Sequence, residues 1–400
     1  MSETNAFERF CSFDAFYDES YKVCRNVRWK DSTINFEESR IETILRTEAD
    51  LRANEYEQLV FSCFSIIERG KQRDIRACHI NDRLVQNALC EEVLLPELTP
   101  KFVYDNCATL KGKGIDFALV RAKKHLQKAY KEYSGDFYGL RIDIRKYFDS
   151  IDHEALRKMA KQVIKDEEIY KLVSYFIGTF SFKVTKDRTP KPGKVYYITR
   201  GGKYCRLRHN RFIPNKKYYE YDEKSLGLGS QTSQLLALLT LNEIDHFIKE
   251  ELHIKYYGRY MDDIYILHND KEYLNKCKIA IEKKLAEIGL MMNKDKTTIC
   301  KIHPIKKGEP RKEPFKYLKW NFYITETGKI IQLPFRKKVI KERRKLRKMH
   351  ALWEQGLISD EEVQTSYQGW RAHVKKGTTH YLIQEMDNYF KHLFKGVEIK

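Results

Sequence analysis

The sequence predicts an α+β fold. Apolar and polar residues alternate, as they do in half-buried strands, from Phe137 to Ile144, from Lys255 to His268 and from Phe315 to Ile324. Helical spacing fills much of the remainder and takes over completely from Phe335 onward. An apolar content of 42% with 13% aromatics supplies ample core for 400 residues, enough for two or three structural units.

Charge narrows the partners. The formal net charge is +19, which favours a polyanion: nucleic acid first, an anionic membrane surface second. No apolar run is long enough to span a bilayer and the opening Met-Ser-Glu-Thr-Asn does not read as a secretory signal, so no membrane partner is expected. The nine cysteines form neither a Cys-x-x-Cys pair nor a zinc-like spacing with histidine, and reduced, packed thiols of a cytoplasmic protein are expected.

In chain order, residues 1–35 carry no clear periodicity and read as an N-terminal arm. From Phe36 to about Arg69 the residues Ile41, Ile44, Leu45, Leu51 and Leu59 fall at helical spacing. Glu68 to Arg76 reads as a basic hairpin or turn, leading to a helix opened by an Asn81/Asp82 cap. Lys111-Gly-Lys113-Gly114 sets lysines beside glycines just before the next helix, an arrangement that can receive an anion or serve as a simple turn. The strand from Phe137 closes on Asp143, and a carboxylate ending a buried strand is costly unless paired or metal-bound.

Residues 180–224 break this rhythm. Thirteen Lys and Arg face four Asp and Glu there, interleaved with tyrosines, a mixture suited to phosphate contact and base stacking on RNA or single-stranded DNA. A small-residue turn at Leu226–Gln234 then opens an apolar helix. Next comes a hairpin, Lys255 to His268, whose tight turn carries Asp262 and Asp263. On their own, two adjacent carboxylates at a turn read equally as a solvated turn or as oxygen ligands for a hard divalent cation. An amphipathic helix (270–289), a loop into a strand (291–300), the strand from Phe315 paired with Lys329–Leu333, and three terminal helices complete the chain.

Taken in order, these segments resemble the reverse transcriptase family. Tyr260-Met-Asp262-Asp263 is similar to its motif C, and Asp143-Ile-Arg-Lys-Tyr-Phe148-Asp-Ser to its motif A. Gly229 to Gln234 stands where motif B belongs, Asn293-Lys-Asp-Lys296-Thr resembles motif D, and Phe315 to Phe322 resembles the primer-grip strands. Glu68 to Ile75 and Asp82 to Gln86 resemble the fingers motifs of bacterial members. Six weak motifs in the right order make a strong one. The resemblance implies a right-hand polymerase, with an antiparallel palm sheet packed on helices. Its fingers would lie at 36–135, its palm at 136–179 and 225–334, a basic insertion at 180–224, and a helical thumb at 335–400.

The same resemblance implies the chemistry. Asp143, Asp262 and Asp263 would hold two Mg²⁺ ions about 4 Å apart (Mn²⁺ could substitute), with the Ile144 carbonyl completing one site. Lys296 would protonate the leaving pyrophosphate. Lys71, Arg73 and Lys113 would grip the triphosphate of the incoming dNTP, and Gln234 would lie near the nascent base pair. Phe148 would stand under the sugar, where a ring excludes a 2′-hydroxyl. The implied partners are an RNA template, a DNA product or primer, and dNTPs, with a homo-oligomer or an accessory protein as further options.

Motif B carries Ser233-Gln234 where many intron-encoded members have Ser-Pro. That variant resembles bacterial lineages in diversity-generating retroelements and antiphage defence, which points to one dedicated non-coding RNA as template. Two alternatives stand beside this reading: untemplated or protein-primed DNA synthesis on the same fold, and a non-catalytic RNA-binding scaffold.

Overall fold

The computed structural model describes residues 5–58, 61–68, 71–179, 182–184, 196–198, 203–208, 211–217, 219–221, 223–227, 229–306, 308 and 313–399; the side chains of 63, 68, 71, 73, 74 and 182–221 lie outside that description. The N-terminal segment folds into helices α1 (Ala6–Phe10), α2 (Phe13–Cys24), α3 (Asp31–Glu38) and α4 (Arg40–Arg52). Phe10, Phe16 and Cys24 are fully buried, so the expected arm is part of the main core. The expected helix from 36 to 69 stops at Arg52. Strands β1 (Phe61–Glu68) and β2 (Lys71–Ala77) follow as a hairpin in the register Glu68↔Lys71. β-Branched and aromatic residues in Phe61–Ile67 favour the extended state, and short apolar runs do not distinguish the two periods.

Helix α5 (Ile80–Leu89) packs on α2. His79, rather than Asn81 or Asp82, caps it, its Nδ1 accepting from the Asn81 N–H; Asp82 instead accepts from the Tyr56 hydroxyl at 2.8 Å. Then come α6 (Leu95–Leu98), α7 (Ile115–Glu132), β3 (Phe137–Ile142), α8 (Tyr147–Ser150), α9 (His153–Val163) and α10 (Glu167–Gly178). Asp152 caps α9 by accepting from the Ala155 N–H at 3.0 Å, and Asp166 caps α10. The basic stretch contributes β4 (Phe182–Val184), β5 (Tyr196–Ile198), β6 (Lys203–Arg208), β7 (Arg211–Lys217) and β8 (Tyr219–Tyr221). Three of these extend the first hairpin into a five-stranded sheet, β2-β1-β5-β6-β7.

Helices α11 (Gln231–Thr240) and α12 (Asn242–His246) lead to β9 (Tyr256–Tyr260) and β10 (Asp263–His268). Helix α13 (Lys271–Glu287) and β11 (Thr298–Ile302) follow, giving a second antiparallel sheet in the order β11-β3-β10-β9. A third sheet contains β12 (Pro304–Ile305), β13 (Phe315–Tyr317), β14 (Trp320–Thr325) and β15 (Ile330–Pro334), and the chain ends in α14 (Arg336–Glu354), α15 (Asp360–Lys375) and α16 (His380–Leu393). Ser359 and Glu362 form a reciprocal capping box at α15.

The second sheet divides two cores because side chains alternate across it. Leu140, Ile142, Tyr257, Ile264 and Ile266 face the helices α5, α9, α10, α11 and α13. Phe137, Tyr256, Tyr265 and Leu267 face α7 and the third sheet. Two glycines permit close packing on that side. A Cβ on Gly139 would lie 2.8 Å from the Phe315 ring, and one on Gly258 would lie 2.5 Å from the Tyr265 ring. The terminal helices close their own core around Leu346, Tyr367, Met386 and Phe390.

Candidate active site

The site forms where β3 ends and β10 begins. These strands pair antiparallel with Ile142 opposite Ile264, so Asp143 and Asp263 continue the same register side by side. Like charges in that position repel. Tyr260 pairs with Asp263, leaving Met261 and Asp262 as the two turn residues; Met261 takes a left-handed φ of +54°. Asp263 therefore opens the strand and Asp262 alone sits on the turn, a refinement of the sequence reading. A side chain other than glycine at φ near +50° is strained, and such strain gathers at functional sites.

All three carboxylates line one cavity of about 610 Å³, together with Ile144, Phe148, Asn293 and Lys296. The turn Leu318–Lys319, Ile115 of α7, Lys338 of α14 and His373 of α15 complete its walls. Burial, then the charges of Asp263 and Asp143, push the Asp262 carboxyl up to about 6. Asp263 is raised by burial and by Asp143, against the opposing pull of Arg141, Lys319 and Lys296. Asp143 is held by three groups. The Asn293 amide donates to its carboxylate at 2.8 Å, Lys296 Nζ approaches at 3.0 Å, and the Asn293 N–H donates to its carbonyl at 2.8 Å.

Among the described residues no three His, Cys, Asp or Glu side chains are already gathered at metal-holding distance. The donor set nonetheless fits a hard divalent cation. It consists of carboxylate oxygens lining one cavity, where burial and then mutual repulsion raise the pKa of one carboxyl to about 6. Lys296 supplies positive charge at the same place, through an ammonium that remains half-exposed.

Other expected residues divide into three groups. Phe148 lines the cavity, its ring edge-on to Tyr147 at 5.5 Å. Ile144 lines it too, its backbone bridged to Met292. Lys113 does not reach it: the ammonium donates to the carbonyls of Tyr104 and Asn106, each at 2.8 Å, and burial lowers its pKa. Two of the three Lys113 donors are thus on backbone carbonyls, and the residue is not among those lining the cavity. Gln234 is exposed on α11 and is not among the lining residues. Lys71 and Arg73 sit on β2, opposite Glu68 and Ile66, and their side chains lie outside the described residues.

Sequence reading missed Asn293 as a partner of Asp143, and it missed Arg259. Arg259 is fully buried, ion-paired with the equally buried Asp245, and donates to the Met261 carbonyl at 3.3 Å. A guanidinium in the apolar run Tyr256-Tyr-Gly-Arg259-Tyr was the available signal.

Residues 67–322 match the family model described as reverse transcriptase (RNA-dependent DNA polymerase). No curated protein matches. Among solved structures the chain is similar to the telomerase of Candida tropicalis in complex with a TWJ fragment of telomeric RNA, at 10% identity and a TM-score of 0.43, covering 69% of this chain and 46% of that one. It is similar to the apo telomerase of the same organism truncated from its C-terminal domain (11%, TM-score 0.43, 73% and 60% covered). The Candida albicans telomerase with a TWJ fragment of telomeric RNA gives 12%, a TM-score of 0.44, and coverage of 85% and 55%. The chain thus spans about half the length of these telomerases.

Proposed function

The chain belongs to the reverse transcriptase family, and from that premise we propose that it copies RNA into DNA, adding dNTPs at the centre formed by Asp143, Asp262 and Asp263. The observation that carries this reading is the convergence of those three carboxylates on one cavity, at the adjoining ends of paired strands. The α+β fold of a right-hand polymerase then divides into fingers at 36–135, palm at 136–179 and 225–334, and thumb at 335–400, with 180–224 a basic insertion. Asp143, Asp262, Asp263 and the Ile144 carbonyl would hold two Mg²⁺ ions. When bound, such a pair supplies charge neutralisation at the attacking and leaving oxygens of phosphoryl transfer.

The chain's own residues do the rest. Asn293 fixes the Asp143 carboxylate, limiting its rotation. Lys296, an ammonium at the cavity wall, delivers a proton to the leaving pyrophosphate. Phe148 lines the cavity, and its ring is the group that excludes a 2′-hydroxyl and selects deoxynucleotides on this reading. The exposed cations of α14 follow the duplex backbone.

The template is one dedicated RNA, in a diversity-generating or antiphage setting. Support comes from the Ser233-Gln234 variant of motif B and from the basic, tyrosine-rich 180–224. A cytoplasmic location agrees with the described cysteines, all of which are free thiols; no described helix is long and apolar enough to cross a membrane.

The test is to purify the protein with its co-expressed RNA, add labelled dNTPs and Mg²⁺, and sequence the products. Products complementary to one bound RNA are expected. Products unrelated to any RNA present would replace this reading with untemplated synthesis, and no incorporation at all would leave an RNA-binding scaffold.

A further inference from the structure

We propose that Tyr147 and Arg259 are positioning residues that set the spacing of the carboxylate centre by fastening its two halves to neighbouring carbonyls of helix α11. This inference rests on the polymerase reading above and deepens it.

The geometry is specific. Tyr147 lies four residues beyond Asp143, is 3% exposed, and donates its hydroxyl to the Ala237 carbonyl. Arg259 lies three residues before Asp262 and donates to the Leu238 carbonyl at 3.4 Å. Ala237 and Leu238 both fall within the last four residues of α11, which ends at Thr240. Carbonyls near a helix C-terminus run short of intrahelical donors and take partners from elsewhere when buried; here the Leu241 N–H that follows α11 bonds the Leu239 carbonyl. Two side chains from the two carboxylate-bearing segments donate to the adjacent carbonyls of Ala237 and Leu238. The C-terminal end of a helix also favours a cation beside it.

Arg259 reaches further. Its Nε donates to Asp245 at 2.7 Å and one terminal nitrogen pairs with the other oxygen of the same carboxylate, which also accepts from the Tyr257 hydroxyl. The other terminal nitrogen holds the Met261 carbonyl, one residue before Asp262. Main-chain bonds to Asp105 and Cys107 fix the arginine's own backbone. Both partners of the ion pair are 0% exposed. A buried ion pair contributes little net stability compared with a well-packed apolar pair, so stability alone gives no reason for one here. Only a planar fork with several fixed N–H directions can grip the helix end, Asp245 and the strained turn at once.

The arrangement links α11, the helix that opens at Ser230, to the distance between Asp143 and Asp262. Tyr147→Phe removes one hydroxyl and keeps the ring; Arg259→Lys keeps the charge and loses the fork. The readouts are thermal midpoint, Mn²⁺ binding to the nucleic-acid-free protein by electron paramagnetic resonance titration, and kcat and KM for dNTP on a defined RNA–DNA hybrid. The expectation for Tyr147→Phe is a midpoint within a few degrees of wild type, Mn²⁺ affinity and kcat each about 10-fold lower, and KM nearly unchanged. Combined with Arg259→Lys, the losses should fall short of the product of the single losses, because both act on one spacing.

A lowered midpoint with wild-type Mn²⁺ affinity and wild-type kcat per folded molecule would overturn the proposal. If Arg259→Lys does not fold, Tyr147→Phe decides alone. Should the wild type bind Mn²⁺ yet incorporate no dNTP, the polymerase reading fails, while the Mn²⁺ titration still decides the positioning role.

Discussion

Phe148 and Lys296 line the same cavity, and each role proposed for them has its own kinetic signature. Phe148→Ala should open space under the sugar. We predict that the ratio of kcat/KM for dNTP over rNTP falls by about 10- to 100-fold, as a lost pocket contact of a few kcal/mol would give. An unchanged ratio would make Phe148 ordinary packing. Lys296→Met should lower kcat by about 100-fold with little effect on KM for dNTP, as expected for a lost general acid. A change confined to KM would make it a binding residue instead. At this scale Asp143 stood out because a carboxylate ending an apolar strand is expensive, whereas Asp262 and Asp263 read equally as a solvated turn until the order of the motifs was added. The bonds from Lys113 to the carbonyls of Tyr104 and Asn106 were not legible, because those acceptors come from a loop with no sequence signature. Arg259 was overlooked because its partner, Asp245, lies on a separate helix.

Between residues and domains, turns and buried clusters decide what the sequence can reveal. The strand expected from Phe315 to Ile324 is a hairpin, β13–β14, turned by Leu318 and Lys319 at φ +45° and +66°. Two-residue turns of that hand ordinarily carry Asn-Gly or Asp-Gly, so nothing in Leu-Lys announced one. The conformation costs about 1 kcal/mol or more for each residue that is not glycine. Leu318→Asn with Lys319→Gly should therefore raise the urea midpoint of unfolding, corresponding to about 1–2 kcal/mol; a lowered midpoint would show the side chains to matter more than the turn.

Behind the sheet, His125 is 4% exposed and hydrogen-bonded to the Tyr265 hydroxyl at 2.9 Å. Burial lowers its pKa from 6.5 to about 4, against the opposing charge of Asp105. A folded pKa below the unfolded one means that the unfolded chain binds the proton first. The neutral imidazole's stability is thus complete above pH ~6.5 and is lost as pH falls toward ~4, by up to about 3 kcal/mol. His125→Gln should flatten the acid limb of the stability curve between those values, and an unaltered limb would assign it to other groups.

The whole molecule is organised about one sheet with a core on either side and a third core in the terminal helices. The strands at Phe137–Ile144 and Lys255–His268 were legible from periodicity, but as half-buried ones; that both faces of the sheet are buried was not. The joining of β5, β6 and β7 to the first hairpin was not legible, since pairing between segments far apart in sequence leaves no local trace. Charge also acts at this scale. Arg344 and Arg347 are exposed on α14, whereas Arg343 is occupied by Glu385. Arg344→Gln with Arg347→Gln should reduce the slope of log affinity for RNA–DNA hybrid against log salt by about 2, uniformly across sequences. An unchanged slope would place the duplex elsewhere.

On the function proposed above, Asp143, Asp262 and Asp263 form one centre that adds deoxynucleotides under the direction of RNA. Its most direct test is single-turnover extension of a DNA primer on an RNA template of known sequence, comparing wild type with Asp143→Asn, Asp262→Asn and Asp263→Asn. Wild type should add the dNTP complementary to the next RNA base, and change its choice when that base is changed. Each amide variant should be slower by about 1,000-fold or more, since each carboxylate would help hold the divalent cations that neutralise the charge developing in the transition state. Extension by Asp262→Asn or Asp263→Asn at the wild-type rate would contradict the account.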